Sequence, residues 1–90
     1  MGRPRMMRQI SSNPGATYYK PQGIPMSNLQ EVDLSLEELE ALRLKGVLGY
    51  DQNRCAEEMK TSQSTFQRIL SEAIKKVAQA LNEGRAIKIG

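Results

Sequence analysis

The sequence predicts a mainly α fold: a three-helix helix-turn-helix domain with an extended basic N-terminal arm and, as a candidate addition, a short two-stranded β pairing of the termini. Three observations predict it. Pro4, Pro14, Gly15, Pro21, Gly23 and Pro25 all fall at the front of the chain, where fixed φ angles and missing amide donors prevent a long helix. Behind them Ser35, Asp51 and Ser62 each stand as a helix cap ahead of a run of helical character. Gly49 and Gly84 then stand where two of the three runs should stop. The expected division is residues 1–33 as basic arm and loop with a short strand, 34–84 as the helix-turn-helix domain, and 85–90 as a short strand or tail.

In the arm, Arg3, Arg5, Arg8 and Lys20 occur with no acid among residues 1–20, whereas residues 31–40 carry Glu31, Asp33, Glu37, Glu38 and Glu40 with no base. Ala16-Thr17-Tyr18-Tyr19-Lys20 has the β-branched and aromatic content of a strand, and Ala86-Ile87-Lys88-Ile89 alternates apolar with charged. These two segments are the candidates for pairing. Ser35 and Glu38 have the spacing of a capping box, with Leu34 and Leu39 at the staple positions, and Leu36, Leu39, Leu42 and Val47 form the expected apolar stripe of a helix over 36–48. Asp51 caps a two-turn helix over 52–59 whose inward residues are Cys55, Ala56 and Met59. Ser62 caps the third helix. At about 100° per residue, Phe66, Ile69, Leu70, Ala73, Ile74, Val77, Ala80 and Leu81 share one side of it. Ser64, Arg68, Ser71 and Lys75 collect on the other, with Gln63 and Gln67 on a shoulder.

Composition bounds the function. Ninety residues with 13 bases against 10 acids make one small domain of formal charge +3. A chain of this length buries only about 60–65% of its unfolded surface, too little for a deep catalytic cleft. There is no histidine, so neutral-pH proton transfer by imidazole and His-based metal sites are excluded. Cys55 is the single cysteine, which excludes an internal disulfide and a Cys-x-x-Cys zinc site. No apolar run approaches the about 20 residues needed to cross a bilayer, so the expectation is a cytoplasmic protein that is not an enzyme, with no metal, no cofactor and no membrane partner. Met1-Gly2 lacks the Ser or Thr that a myristoylation signal needs at position 6, where Met6 stands.

A short helix with a small inward residue, a tight turn and a capped helix with a polar outer face is the arrangement that inserts the start of its second helix into the DNA major groove. On that reading Gln63, Ser64, Thr65, Gln67 and Arg68 face base edges, where Gln suits adenine and Arg suits guanine. Lys60, Ser62, Ser71, Lys75 and Lys76 suit phosphates. Gly2-Arg3-Pro4-Arg5 resembles half of an AT-hook, so Arg3, Arg5 and Arg8 are candidates for the minor groove, the bland alternative being a disordered tail. A plain three-helix bundle with solvated outer faces is the alternative for the domain. Lys60 stands where such turns usually place glycine, at a cost of about 1 kcal/mol if its backbone is left-handed. Cys55 reads as a small buried hydrophobe, Tyr18, Tyr19 and Tyr50 as packing residues with base stacking as the alternative, and the acid cluster as capping charge rather than a divalent-ion site.

Thr17-Tyr18-Tyr19-Lys20-Pro21-Gln22-Gly23-Ile24-Pro25, then residues 34–44 from Leu34-Ser35-Leu36-Glu37-Glu38 to Leu44, then Ser62-Gln63-Ser64-Thr65-Phe66-Gln67-Arg68-Ile69-Leu70 together resemble an uncharacterised family of small prokaryotic proteins. The resemblance extends over nearly the whole chain, including its Arg-Pro-Arg start and its Gly84-Arg85-Ala86-Ile87-Lys88-Ile89 ending. It implies DNA binding through a helix-turn-helix similar to the fourth region of bacterial sigma factors. The resemblance also implies that some relatives carry an added domain similar to nitrogenase cofactor-binding proteins, and no such domain is expected within these ninety residues. Met7 stands where relatives tend to have cysteine, and Lys60-Thr61 where they tend to have Gly-Val. The expected function is sequence-specific double-stranded DNA binding by a transcription regulator. The alternative is an adaptor that uses the same fold, and its acidic first helix, to contact RNA polymerase or another regulator. The half of the third helix from Ala73 to Leu81 is longer than groove contact requires, which makes it a candidate homodimer surface.

Overall fold

The computed structural model describes residues 15–90, so Arg3, Arg5, Arg8 and Met7 lie outside the described residues. Over these residues the chain is mainly helical, with three helices and a small three-stranded sheet. In order these are β1 (Tyr18–Tyr19), a 3₁₀ turn (Met26–Asn28), β2 (Glu31–Leu34), α1 (Leu36–Leu42), a π-helical turn (Arg43–Val47), α2 (Gln52–Glu58), α3 (Gln63–Glu83) and β3 (Ala86–Ile89).

Each helix begins where a side chain replaces the missing backbone acceptor. Ser35 and Glu38 form a reciprocal capping box, with bonds of 3.1 and 2.9 Å. Asp51 accepts from the Arg54 amide at 2.8 Å, and Ser62 from the Thr65 amide at 3.1 Å. At the far end of α3, Gly84 turns the chain through a left-handed φ of 66° and sends it into β3, with the Ile24 side chain packed close by.

The sheet has the order β1-β3-β2. The expected pairing of the termini forms: Tyr18 lies opposite Lys88 and Tyr19 opposite Ile87, antiparallel. The sheet nevertheless has a third strand. Glu31–Leu34, expected as loop and capping charge, is β2 and pairs with β3 in parallel, Val32 opposite Ile87 and Leu34 opposite Ile89. The period-two alternation is present, since Val32 and Leu34 are buried while Glu31 and Asp33 are exposed, but two carboxylates in four residues disguise it.

Two apolar clusters meet across α1. Ala41 and Leu44 pack with Cys55, Ala56 and Met59 of the second helix region and with Phe66, Ile69 and Leu70 of α3. Leu34, Ala73 and Ile89 form the other cluster, under the sheet, with Leu39, Leu42, Val77 and Ile87 against it. The expected helix over 36–48 is corrected by this arrangement: the α-helix ends at Leu42 and a π-turn follows, in which the Leu48 amide donates to the Arg43 carbonyl at 2.9 Å. That wider turn shifts the phase, so Leu44 points inward at 1% exposure while Val47, expected on the stripe, is 78% exposed. A second correction falls on α3. Ile74 and Leu81, at 53% and 76% exposure, stand outside the core because both clusters lie on the side of α3 that bears Ala73 and Ala80.

Two buried carboxylates, Glu38 and Glu40, are a further feature of α1. Glu40 receives two bonds of 2.9 Å from the Arg43 guanidinium, and Glu38 faces Lys76 at 2.9 Å as well as its cap. Both pairs supply the charged partner that burial demands.

Candidate nucleic-acid interface

The connection between α2 and α3 is short because α2 ends in a tight reversal. Lys60 takes φ 56°, its amide donates to Glu57 at 3.1 Å, and the Thr61 amide donates to Ala56 at 3.0 Å. That pattern of two bonds around one left-handed residue is the usual helix stop of a glycine, here made with lysine. Met59 and Phe66 are both fully buried in the corner, and Ala56, 3% exposed, lets the helices approach.

Beyond the turn, the first two turns of α3 present polar side chains outward, and Gln63, Ser64, Gln67 and Arg68 are all exposed. Thr65 is half-buried, and its hydroxyl accepts from the Ser62 hydroxyl at 2.9 Å. The Ser64 hydroxyl lies 3.3 Å from the same Ser62 oxygen. Gln67 donates to the Ser71 hydroxyl at 3.2 Å. Arg68, Lys60 and Lys75 are exposed and carry no ion pair among the described residues. The structure therefore brings Lys60, Ser62, Gln63, Ser64, Thr65, Gln67 and Arg68 together around one helix start. It places Lys75 and Lys76 further along α3, in a shallow groove shared with Asp33 and Glu72, where Lys76 is committed to Glu38.

Two residues of α2 join this surface without having been singled out by the sequence. Asn53 accepts from the Gln63 side-chain amide at 3.0 Å, and Gln52 donates to the Gln63 backbone carbonyl at 3.4 Å. The signal available was positional: both follow the Asp51 cap on the first turn of a helix whose partner begins after a tight turn. Alongside them Arg54 covers one face of the Tyr50 ring at 3.9 Å, and Tyr50 packs against the core. Cys55 is fully buried, its thiol donates to the Tyr50 carbonyl at 3.6 Å, and burial pushes its pKa up. Tyr18 donates to Glu31 at 2.6 Å across the sheet, and that bond raises its pKa.

Between α1, the sheet and the C-terminal half of α3 lies an apolar cleft of about 460 Å³, lined among others by Leu39, Leu42, Val77 and Ile87. Among the described residues no group of three or more metal-ligating carboxylates or thiols occurs, and no helix is long and apolar enough to cross a membrane.

A family model described as "Protein of unknown function DUF134" matches residues 1–90. The UPF0251 protein of Desulforudis audaxviator is 56% identical over 89 residues, covering 99% of this chain and 58% of that protein. A UPF0251 protein of Caldanaerobacter subterraneus is 51% identical over 89 residues and one of Dehalococcoides mccartyi 53%, the chain spanning 75% and 76% of their lengths. No solved structure matches the chain.

Proposed function

We propose that this chain, which belongs to the DUF134 family of proteins of unknown function, binds double-stranded DNA sequence-specifically through α2 and α3 acting as a helix-turn-helix, in the role of a transcription regulator. The observation that carries this reading is the start of α3. Exposed Gln63, Ser64, Gln67 and Arg68 project from two consecutive turns of a helix that a buried corner of Ala56, Met59 and Phe66 holds against its short neighbour. Side chains of these types complement base edges in a groove wide enough for one helix. Lys60, at the turn, is free to meet a phosphate as a point charge, and Ser62 lies beside it. Arg68, which carries no ion pair among the described residues, is the residue best placed for a bidentate contact with guanine.

The test is a fluorescence-anisotropy titration against a random-sequence duplex at two salt concentrations, with circular dichroism as a check on folding. DNA binding predicts affinity in the micromolar range or tighter that falls steeply with salt, because each neutralised phosphate releases about 0.9 of a counterion. Arg68→Ala is expected to cost about 1–3 kcal/mol on a selected site. Folded protein that binds no duplex at low salt would overturn the reading and direct attention to a protein partner on α1.

A further inference from the structure

We infer that Asn53 is a positioning residue that turns Gln63 into a reader of adenine, an inference that rests on the DNA-binding reading above. A glutamine carboxamide has two N–H donors and one oxygen with two lone pairs. One Gln63 N–H is spent on Asn53 Oδ1 at 3.0 Å, and the Gln63 backbone carbonyl receives the Gln52 amide at 3.4 Å. What remains on Gln63 is one N–H beside one C=O.

That remaining pair matches a single base edge. Adenine presents an acceptor at N7 beside a donor at N6, which a carboxamide satisfies with both of its free positions. Guanine presents two acceptors, so the Gln63 oxygen would oppose O6. Cytosine offers only a donor and thymine only an acceptor beside a methyl group. A free carboxamide can turn over and exchange its N–H with its C=O. The bond to Asn53 fixes which side carries the donor, and so which strand the adenine must occupy.

The anchor is firm because it belongs to another element. Asn53 stands on α2, whose Cys55 and Ala56 are locked into the core at 0% and 3% exposure, so it does not move with the α3 side chains it orients. Gln67 offers a contrast: its partner is the hydroxyl of Ser71, an exposed rotor one turn along the same helix. Asn53 Nδ2 has no hydrogen bond among the described residues, which leaves it available to a phosphate beside the same base.

The experiment is selection and sequencing from a pool of short duplexes with a randomised core, using wild type, Gln63→Ala, Asn53→Ala and Asn53→Asp, each checked for folding by circular dichroism. Wild type should enrich adenine at a position where Gln63→Ala shows no preference. Asn53→Ala should lower the adenine preference there by about fivefold or more, the low end of what a bidentate amide contact discriminates, and leave other positions unchanged. Asn53→Asp retains an acceptor for the Gln63 amide, so it should restore the adenine preference while weakening binding to every duplex through its added negative charge. An unchanged base profile in Gln63→Ala, or full adenine preference in Asn53→Ala, overturns this inference while leaving DNA binding intact. Failure of folded wild type to enrich any duplex overturns the DNA reading and the inference with it.

Discussion

Lys60 is the residue at which local chemistry and local geometry disagree most. A lysine held at φ 56° sits in a region that glycine enters without steric cost, and nothing else in the turn requires a side chain there. Lys60→Gly is therefore expected to stabilise the fold by about 0.5–1 kcal/mol in urea denaturation. The same variant should flatten the salt dependence of DNA binding by about 0.9 in the logarithmic slope if Lys60 meets a phosphate. Cys55 gives a second residue-scale prediction. Burial raises its thiol pKa above the ordinary 9.0, so the neutral form is favoured in the folded state. The stabilisation is thus complete below the unfolded value and is lost as pH rises through the folded one. Alkylation by iodoacetamide should accordingly be slow in native protein and fast in denaturant, with native stability declining above about pH 9. The strained lysine and the buried thiol were both readable from sequence, because turn position and helix phase determine them. The Asn53–Gln63 bond was not, since it depends on the rotation of one helix against another and on side-chain torsions that no periodicity encodes.

Elements were legible where a cap announced them. Ser35, Asp51 and Ser62 each supply an oxygen to an otherwise orphaned amide, and such bonds depend only on residues three apart. What was not legible is the end of the first helix, because a π-turn is a response to tertiary packing: widening the turn lets Leu44 fill the α2–α3 corner while Leu42 reaches both clusters. The phase shift is testable by a pair of substitutions. Val47→Asp should change stability by no more than about 0.5 kcal/mol, since its side chain faces water, whereas Leu44→Ala should cost about 2–5 kcal/mol. A regular helix through residue 48, with Val47 on its inner stripe, would make Val47→Asp the damaging one of the two. Chemical denaturation of both variants decides it. Glu40 on the same helix predicts a further loss, because Glu40→Ala removes two charge-assisted bonds to Arg43 at a site only 1% exposed, at a cost of about 1.5–3 kcal/mol.

At the scale of the molecule, β3 is the piece that joins the ends. It lies between β1 and β2, two strands that do not pair with each other, and its Ile89 closes the cluster on which Leu34 and Ala73 pack. Removing residues 86–90 should therefore abolish the sheet and the cooperative unfolding transition together, as read by circular dichroism during urea titration. Sequence alone suggested the pairing of the termini but not the third strand, because the parallel partner is separated from β3 by all three helices and alternates its apolar residues with carboxylates. Those carboxylates have a consequence outside the fold. Among the described residues the sheet of three strands has two open margins; one is a strand of two residues, and the other is β2, where Glu31 and Asp33 stand exposed at alternate positions. Like charges meet wherever two such margins approach, so the acids act as gatekeepers against edge-to-edge aggregation. Glu31→Gln combined with Asp33→Asn should leave the monomer folded yet make it scatter light at concentrations where the wild type stays clear.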